Sequence, residues 1–271
     1  MAFYGMLRKE LEGKLSDKKL DVLPRGFQTL GDILVVKLDK SLLSRRKLIG
    51  RAIIKVFPRV RTVCLFRELK GKTRKPDIEV IAGQNNTLTI HREHGCQFLI
   101  DVSESMWSKG NKHERMRLTE LAKPGETVVD MFAGIGYWSI FLAKYSKPQK
   151  VYAIDINPKA AEFLKRNAFL NKVENRIEVL EGDCRLFAKI LENTADRIIV
   201  GYLFDTEKFL PYALKMAKKG CVIHFHRNVK DKELEKMKKL LGKKFRILRT
   251  LKVKSYSPDT SHYVFDLSTK P

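Results

Sequence analysis

No stretch of this 271-residue chain is apolar over the ~18 residues that a membrane-spanning helix requires. The first residues, Met1 to Lys14, carry charges throughout, which excludes a secretory signal pattern and makes cytoplasmic residence the expectation. Cysteine is scarce. Cys64, Cys96, Cys184 and Cys221 lie far apart with no C-x-x-C pair, which argues against a zinc knuckle or a disulfide framework and leaves four ordinary thiols. There is no internal repeat and no low-complexity segment. Acidic residues are in deficit, 31 against 54 basic ones, for a net charge of +23.

That excess is unevenly placed. Residues 1–75 carry +13 and residues 227–254 carry +9, whereas the 151 residues between them carry only +2. Two basic flanks around a balanced centre point to a polyanionic partner, because each Lys or Arg set against a phosphate releases a condensed counterion. An acidic membrane surface is the competing reading, but no strongly amphipathic anchor helix accompanies the charge. A solvated Lys-rich surface is the plainest alternative. With 44% hydrophobic residues, the chain has enough apolar material for a packed core.

Periodicity divides the chain in two. Up to about residue 95, an early helix, a β-branched run at Ile33–Lys37, a helical pattern over Asp39–Phe57 and strands at Val60–Leu65 and Ile78–Ala82 suggest a small basic α+β domain, 1–95. Gln84-Asn85-Asn86 reads as the turn of a hairpin joining Ile78–Ala82 to Leu88–Arg92. From Thr127 onward, short apolar strands alternate with helical stretches, and Phe245–Val253 with Tyr263–Leu267 reads as a closing hairpin. That alternation predicts an α/β domain over 96–271: a mostly parallel, mixed sheet with helices on both faces.

The sharpest motif is Asp130-Met131-Phe132-Ala133-Gly134-Ile135-Gly136, between a strand and a helix. Its glycines allow a tight turn and a close backbone approach to a ligand at the carboxyl end of the sheet. A nicotinamide site would favour a third glycine at position 139, which is Ser139 here. Asp130 would repel a pyrophosphate but favour the cationic amino acid and sulfonium of S-adenosylmethionine. Asp155 ends the second strand, where a carboxylate accepts both ribose hydroxyls, and Asp183 follows the third, near an adenine. Singly, each acid has a plain alternative as a helix N-cap, and for Asp155 alone the two readings are even; with the glycine loop they form one cofactor set.

The segment DMFAGIGYWSIFLAK followed by AIDINPKAAEFLKRNAFLN resembles class I S-adenosylmethionine-dependent transferases, with their Rossmann-like fold. With DVSESMWSKGNKHERMRL, KPGETVVD and VKSYSP, it resembles more narrowly the archaeal and eukaryotic enzymes that modify the guanosine 3′ of a tRNA anticodon, over residues 20 to 268. One branch of that group methylates guanosine N1. The other, in wybutosine synthesis, transfers a 3-amino-3-carboxypropyl group to the tricyclic derivative 4-demethylwyosine. The methyl branch carries Asn-Leu-Pro after the fourth strand, and this chain has Gly201-Tyr202-Leu203, then FDTEKFLPYALKMAKKG and His224-Phe225-His226. It is therefore identified as similar to the aminocarboxypropyl branch, with guanosine N1-methyl transfer as the alternative. The extra N-terminal domain of many archaeal methyltransferases is expected to be absent.

The resemblance implies a cofactor set of Ser108, Arg115, Phe132, Gly134, Gly136, Asp155, Ile156, Asp183 and Cys184, with Arg115 and Ser108 holding the amino-acid arm. No metal is implied. Glu126 and His226 are the candidate catalytic residues, and His224 and Asp205 further possible bases. Of the two histidines, only one is expected to face the cleft. A monomer acting on the tRNA anticodon stem-loop would grip phosphates with Arg45, Arg46, Lys47 and Arg51, and with the Lys-rich helix 230–239. Arg59, Arg61 and 70–75 are further candidates, and Trp107 or Tyr137 could stack on a splayed base.

Overall fold

A computed structural model describes residues 3–71, 75–105 and 107–269. The chain forms two compact units, Met1–Trp107 and Ser108–Pro271.

In the first unit, α1 (Phe3–Leu11) and the short α2 (Asp17–Asp21) precede β1 (Phe27–Leu30) and β2 (Ile33–Val36), an antiparallel pair. A 3-10 turn capped by Asp39 leads into α3 (Arg46–Val56). This helix buries Ile49, Ala52 and Ile53, the spacing of a single helical face, and leaves Lys47 and Arg51 outside. It carries the chain to β3 (Thr62–Lys70), parallel to β2, and β4 (Lys75–Gly83) then returns antiparallel to β3. The hairpin expected between Ile78–Ala82 and Leu88–Arg92 does not form. β5 (Leu88–Glu93) pairs instead with β6 (Cys96–Asp101). Between them, His94 and Gly95 both have positive φ, 43° and 72°, the two-residue turn whose twist matches a hairpin. The domain boundary read at 95/96 therefore falls in that turn, and the first unit continues through Trp107. Trp107 is buried, its ring edge-on to Phe98 at 4.7 Å, so it is a core residue and not a stacking platform.

The second unit opens with α4 (Lys112–Leu121) and continues β7 (Thr127–Asp130), α5 (Ser139–Tyr145), β8 (Lys150–Asp155), α6 (Pro158–Leu170), β9 (Ile177–Glu181) and α7 (Cys184–Phe187). It ends with β10 (Ala195–Val200), α8 (Leu210–Met216), β11 (Ala217–Lys230), α9 (Leu234–Gly242), β12 (Phe245–Ser257) and β13 (Thr260–Thr269). Its seven strands lie in the order β9-β8-β7-β10-β11-β13-β12. The first five of these are mutually parallel, and β13 runs antiparallel between β11 and β12. Val129, Ile154, Ile198 and Ile223 pack with residues of α7, α8 and α9. The alternating Val128, Ile199 and His224 are buried on the other face, as the period of two demands. Strand order reverses between β7 and β10, which opens a ligand crevice beyond their carboxyl ends.

Candidate active site at the carboxyl edge of the sheet

The loop after β7 is pinned to both neighbouring strands: Met131 N donates to Ile199 O at 3.0 Å and Ala133 N to Ile154 O at 2.9 Å. Gly134 and Gly136 have φ of +56° and +98°, which side-chain-bearing residues rarely adopt. A Cβ on Gly134 would collide with the ring of Tyr137, and one on Gly136 would stand 2.6 Å from Ile140 Cγ1. The loop is thus a tight backbone cradle that only glycine permits, with Tyr137 and Ile140 in the space a Cβ would take.

Asp155 closes this cradle. Its Oδ2 accepts from Gly134 N at 2.7 Å and its Oδ1 from Asn157 N at 2.9 Å. Burial raises its pKa, and the two amides draw it back. Each oxygen keeps a further lone pair for a ligand hydroxyl. Beside it Ile156 is 62% exposed, an apolar shelf at the strand end. Asp183 caps α7 through Arg185 N at 3.0 Å, and its ion pair with the Arg185 side chain holds its pKa down. Cys184 is buried behind it, with its thiol pushed up to about 12 by burial. Phe132 stacks on Tyr202, centroids 5.3 Å apart, and meets Phe209 edge-on at 4.8 Å.

Asp130 departs from the expectation of a carboxylate facing a cation. It is wholly buried, accepts from Ser139 Oγ at 2.7 Å and more weakly from Phe132 N at 3.4 Å, and is pushed up to about 7 by burial. Its work is to shape the loop. The glycine cradle, the carboxylate of Asp155 and the exposed Ile156 together fit a nucleoside.

Ser108 and Arg115 are brought together: the buried Arg115 donates from Nη2 to Ser108 O at 2.9 Å, and Lys254 Nζ donates to the Ser108 hydroxyl. α4, which carries Arg115, packs on α5, the helix that follows the glycine loop.

A buried polar chain runs along the other face. Glu126 is held bidentately by Arg197, at 2.7 and 3.0 Å. Arg197 Nη1 donates to His224 Nε2 at 2.6 Å, so the proton of His224 sits on Nδ1 and is donated to Asp266 at 2.6 Å. Asp266 also pairs with Arg117 at 2.7 Å, and Arg117 with Glu114 at 2.7 Å. Asp266 is held well below the usual carboxylate range by His224 and Arg117, against burial, while burial raises Glu114. His226 stacks on Trp138 at 5.2 Å and shares a proton with His262 at 3.0 Å. Burial lowers its pKa far below the ordinary histidine value and that of His262 to about 3.

Residues 89–251 match the family described as "TRM5/TYW2 methyltransferase domain", and residues 7–87 the one described as "TYW2 N-terminal domain". The chain is 38% identical to the Pyrococcus horikoshii protein named tRNA(Phe) (4-demethylwyosine(37)-C(7)) aminocarboxypropyltransferase, over 96% of this chain and 95% of that one. The chain belongs to the TRM5/TYW2 family. A Pyrococcus abyssi member named tRNA (guanine(37)-N(1))-methyltransferase Trm5b is 36% identical, over 90% of this chain and 74% of that protein. A crystal structure of P. horikoshii TYW2 in complex with MeSAdo superposes with a TM-score of 0.83 at 37% identity, covering 98% of both chains.

Within the TRM5/TYW2 domain the structure gathers Phe132, Gly134, Gly136, Asp155 and Ile156 around the cradle, with Asp183 and Cys184 at the end of the next strand. Glu126 is not among them. It precedes β7, a strand's length of ~13 Å from Asp130, and its carboxylate is committed to Arg197. His226 does stand at the carboxyl edge, one residue beyond the Val200–Phe225 register pair. Only His226 of the two histidines stands there, since both ring nitrogens of His224 are engaged by Arg197 and Asp266; alternation is not the reason, because residues two apart share a face. Asp205 is exposed and ion-paired with Lys208 at 3.0 Å. In the N-terminal TYW2 unit, Arg45, Lys47 and Arg51 are exposed, but Arg46 is tied to Glu79 at 2.7 Å. Arg61, Lys70 and Lys75 face Asp32, Asp77 and Glu104, and positions 72–74 lie outside the described residues. Sequence reasoning missed Arg117, Arg197 and Asp266. Their signal was an ionisable residue inside an apolar strand run for two of them, ADRIIV and YVFDLS.

Proposed function

We propose that this chain transfers the 3-amino-3-carboxypropyl group of S-adenosylmethionine to C7 of 4-demethylwyosine, the tricyclic guanosine derivative 3′ of the tRNA anticodon, acting as a monomer and releasing methylthioadenosine. The observation that carries this reading is the near end-to-end 38% identity to a protein of that name, joined to a glycine-loop site built for a nucleoside. Gly201-Tyr202-Leu203 at the exit of β10, in place of Asn-Leu-Pro, supports it further.

S-adenosylmethionine, when bound, supplies a sulfonium whose attached carbons are electrophilic. The chain decides which carbon is presented, because displacement needs an in-line approach. Asp155 holds the ribose, the backbone of the Gly134–Gly136 turn lies against it, and Ile156 with Asp183 and Cys184 borders the base. Arg115, oriented by Ser108, holds the carboxylate of the amino-acid arm, since a planar guanidinium matches it bidentately. His226 stands at the carboxyl edge with its Nε2 lacking a hydrogen-bond partner among the described residues, and is the group assigned to take up the proton that C7 loses. Glu126 acts through Arg197 and His224 as a positioning residue. The exposed Arg45, Lys47 and Arg51 contact tRNA phosphates.

The test is product analysis with S-adenosylmethionine and tRNA carrying 4-demethylwyosine. Methylthioadenosine is expected. S-adenosylhomocysteine in its place would assign the chain to methyl transfer, the reaction named for the P. abyssi relative.

A further inference from the structure

A groove of about 850 Å³ lies in the second unit between the loop after β10, the end of β11, α9 and the β12–β13 turn. Its floor is apolar and exposed: Phe204 is 41%, Leu240 52% and Tyr256 53% accessible. Its rim is basic. Lys230, Lys236 and Lys239 are exposed, and no carboxylate among the described residues lies within ion-pair distance of them. Its acidic members are Glu233 and Asp205, the latter already neutralised by Lys208. Asn228 lines its wall, and its side-chain Nδ2 and Oδ1 are both buried and without a hydrogen-bond partner among the described residues. A buried amide with donor and acceptor both unmet is costly unless a ligand meets them.

Adjacent aromatic rings link the groove to the cradle. Phe132 stacks on Tyr202, and Tyr202 meets Phe204 edge-on with centroids 6.2 Å apart. Flat apolar faces between basic rims, with an amide set among them, match a nucleic-acid strand: phosphates on the lysines, a base on the ring, its edge on the amide. An acidic peptide would use the rim but has no base to lay on Tyr256 or Phe204.

We propose that this groove is the track for the single-stranded RNA that adjoins the acceptor nucleotide. Lys230, Lys236 and Lys239 neutralise its phosphates, Tyr256 stacks one base, and Asn228 reads the edge of a base. This rests on the function proposed above, since it needs an RNA substrate at the same edge of the sheet.

The test titrates an anticodon stem-loop RNA into the full chain across a range of salt. The triple variant Lys230→Gln, Lys236→Gln, Lys239→Gln is expected to lower the slope of log affinity on log salt by about 2, at roughly 0.7 per single-strand phosphate. Tyr256→Ala is expected to weaken binding about tenfold at unchanged slope, the scale of one base–aromatic stack. Asn228→Ala should likewise weaken binding at unchanged slope, while Asn228→Gln recovers part of the loss. Affinity for methylthioadenosine should not change in any of them. A triple variant with wild-type slope overturns the proposal. So does poly-glutamate binding as tightly as RNA with Tyr256→Ala without effect, which would make the surface a contact for acidic proteins. If the groove variants behave as expected but the reaction releases S-adenosylhomocysteine, the track stands and only the assigned chemistry falls.

Discussion

The amide of Gly134 donates to a carboxylate oxygen of Asp155 at 2.7 Å, joining the glycine loop after β7 to the end of β8 across 21 residues. One side chain therefore shapes the cradle and, under the function proposed above, also holds the ribose. Asp155→Ala is expected to weaken methylthioadenosine binding by about 1.5–3 kcal/mol, the value of a hydrogen bond to a charged group. Calorimetric titration checks this, and an unchanged affinity would remove Asp155 from the ribose role.

Asp130 is buried and pushed up to about 7. In the folded chain it holds its proton where the unfolded chain, with an ordinary carboxyl near 3.8, has released it. Its contribution to stability is thus complete below about pH 4 and is lost as pH rises to about 7, at no more than about 1.4 kcal/mol per pH unit. Asp130→Asn should remove that segment of the pH dependence. The difference between variant and parent in urea midpoint, followed from pH 4 to 8, isolates it from the buried histidines. Those have lowered pKa values, and their stabilisation is lost in the opposite direction, as pH falls below 6.5.

The pair between Glu126 and Arg197 is nearly buried, with side chains 14% and 5% exposed. Arg197→Met leaves Glu126 without its partner and His224 without its donor. The expected loss is about 3–5 kcal/mol of unfolding free energy, as for other buried pairs broken on one side. Glu126→Gln keeps an acceptor for the guanidinium and should cost less, with the product of the reaction unchanged. A change of product with Glu126→Gln would place Glu126 in the chemistry after all.

Lys47 and Arg51 lie one turn apart on the outer face of α3, whereas Arg46 spends its charge on Glu79. The double variant Lys47→Gln, Arg51→Gln is expected to lower the salt slope of tRNA binding by about 1 to 2, at up to about 0.9 per phosphate. Arg46→Gln should change it less. Filter binding at several salt concentrations separates the two.

The architecture of the second unit was legible because its strands are apolar, its helices periodic and its glycine loop sits at the junction of one with the other. The Asp155 contact followed from position alone: an acid at the end of a strand next to the loop strand. The first unit was harder. The turn that matters is His94-Gly95, and Gln84-Asn85-Asn86 is only a link between strands that do not pair. Trp107, Asp130 and Arg46 show a general limit. Composition indicates that a ring, an acid or a base is present, but its burial and partner are set by residues far away, such as Phe98, Ser139 and Glu79. The pairing of Arg197 with Glu126 joins residues 71 positions apart, and nothing local in the sequence announces it.

The most direct measurement identifies the nucleoside released when the chain reacts S-adenosylmethionine with tRNA bearing 4-demethylwyosine. Methylthioadenosine, in equal amount with an aminocarboxypropyl group on the RNA, is the predicted result. S-adenosylhomocysteine, with a methyl group on the RNA, would contradict it.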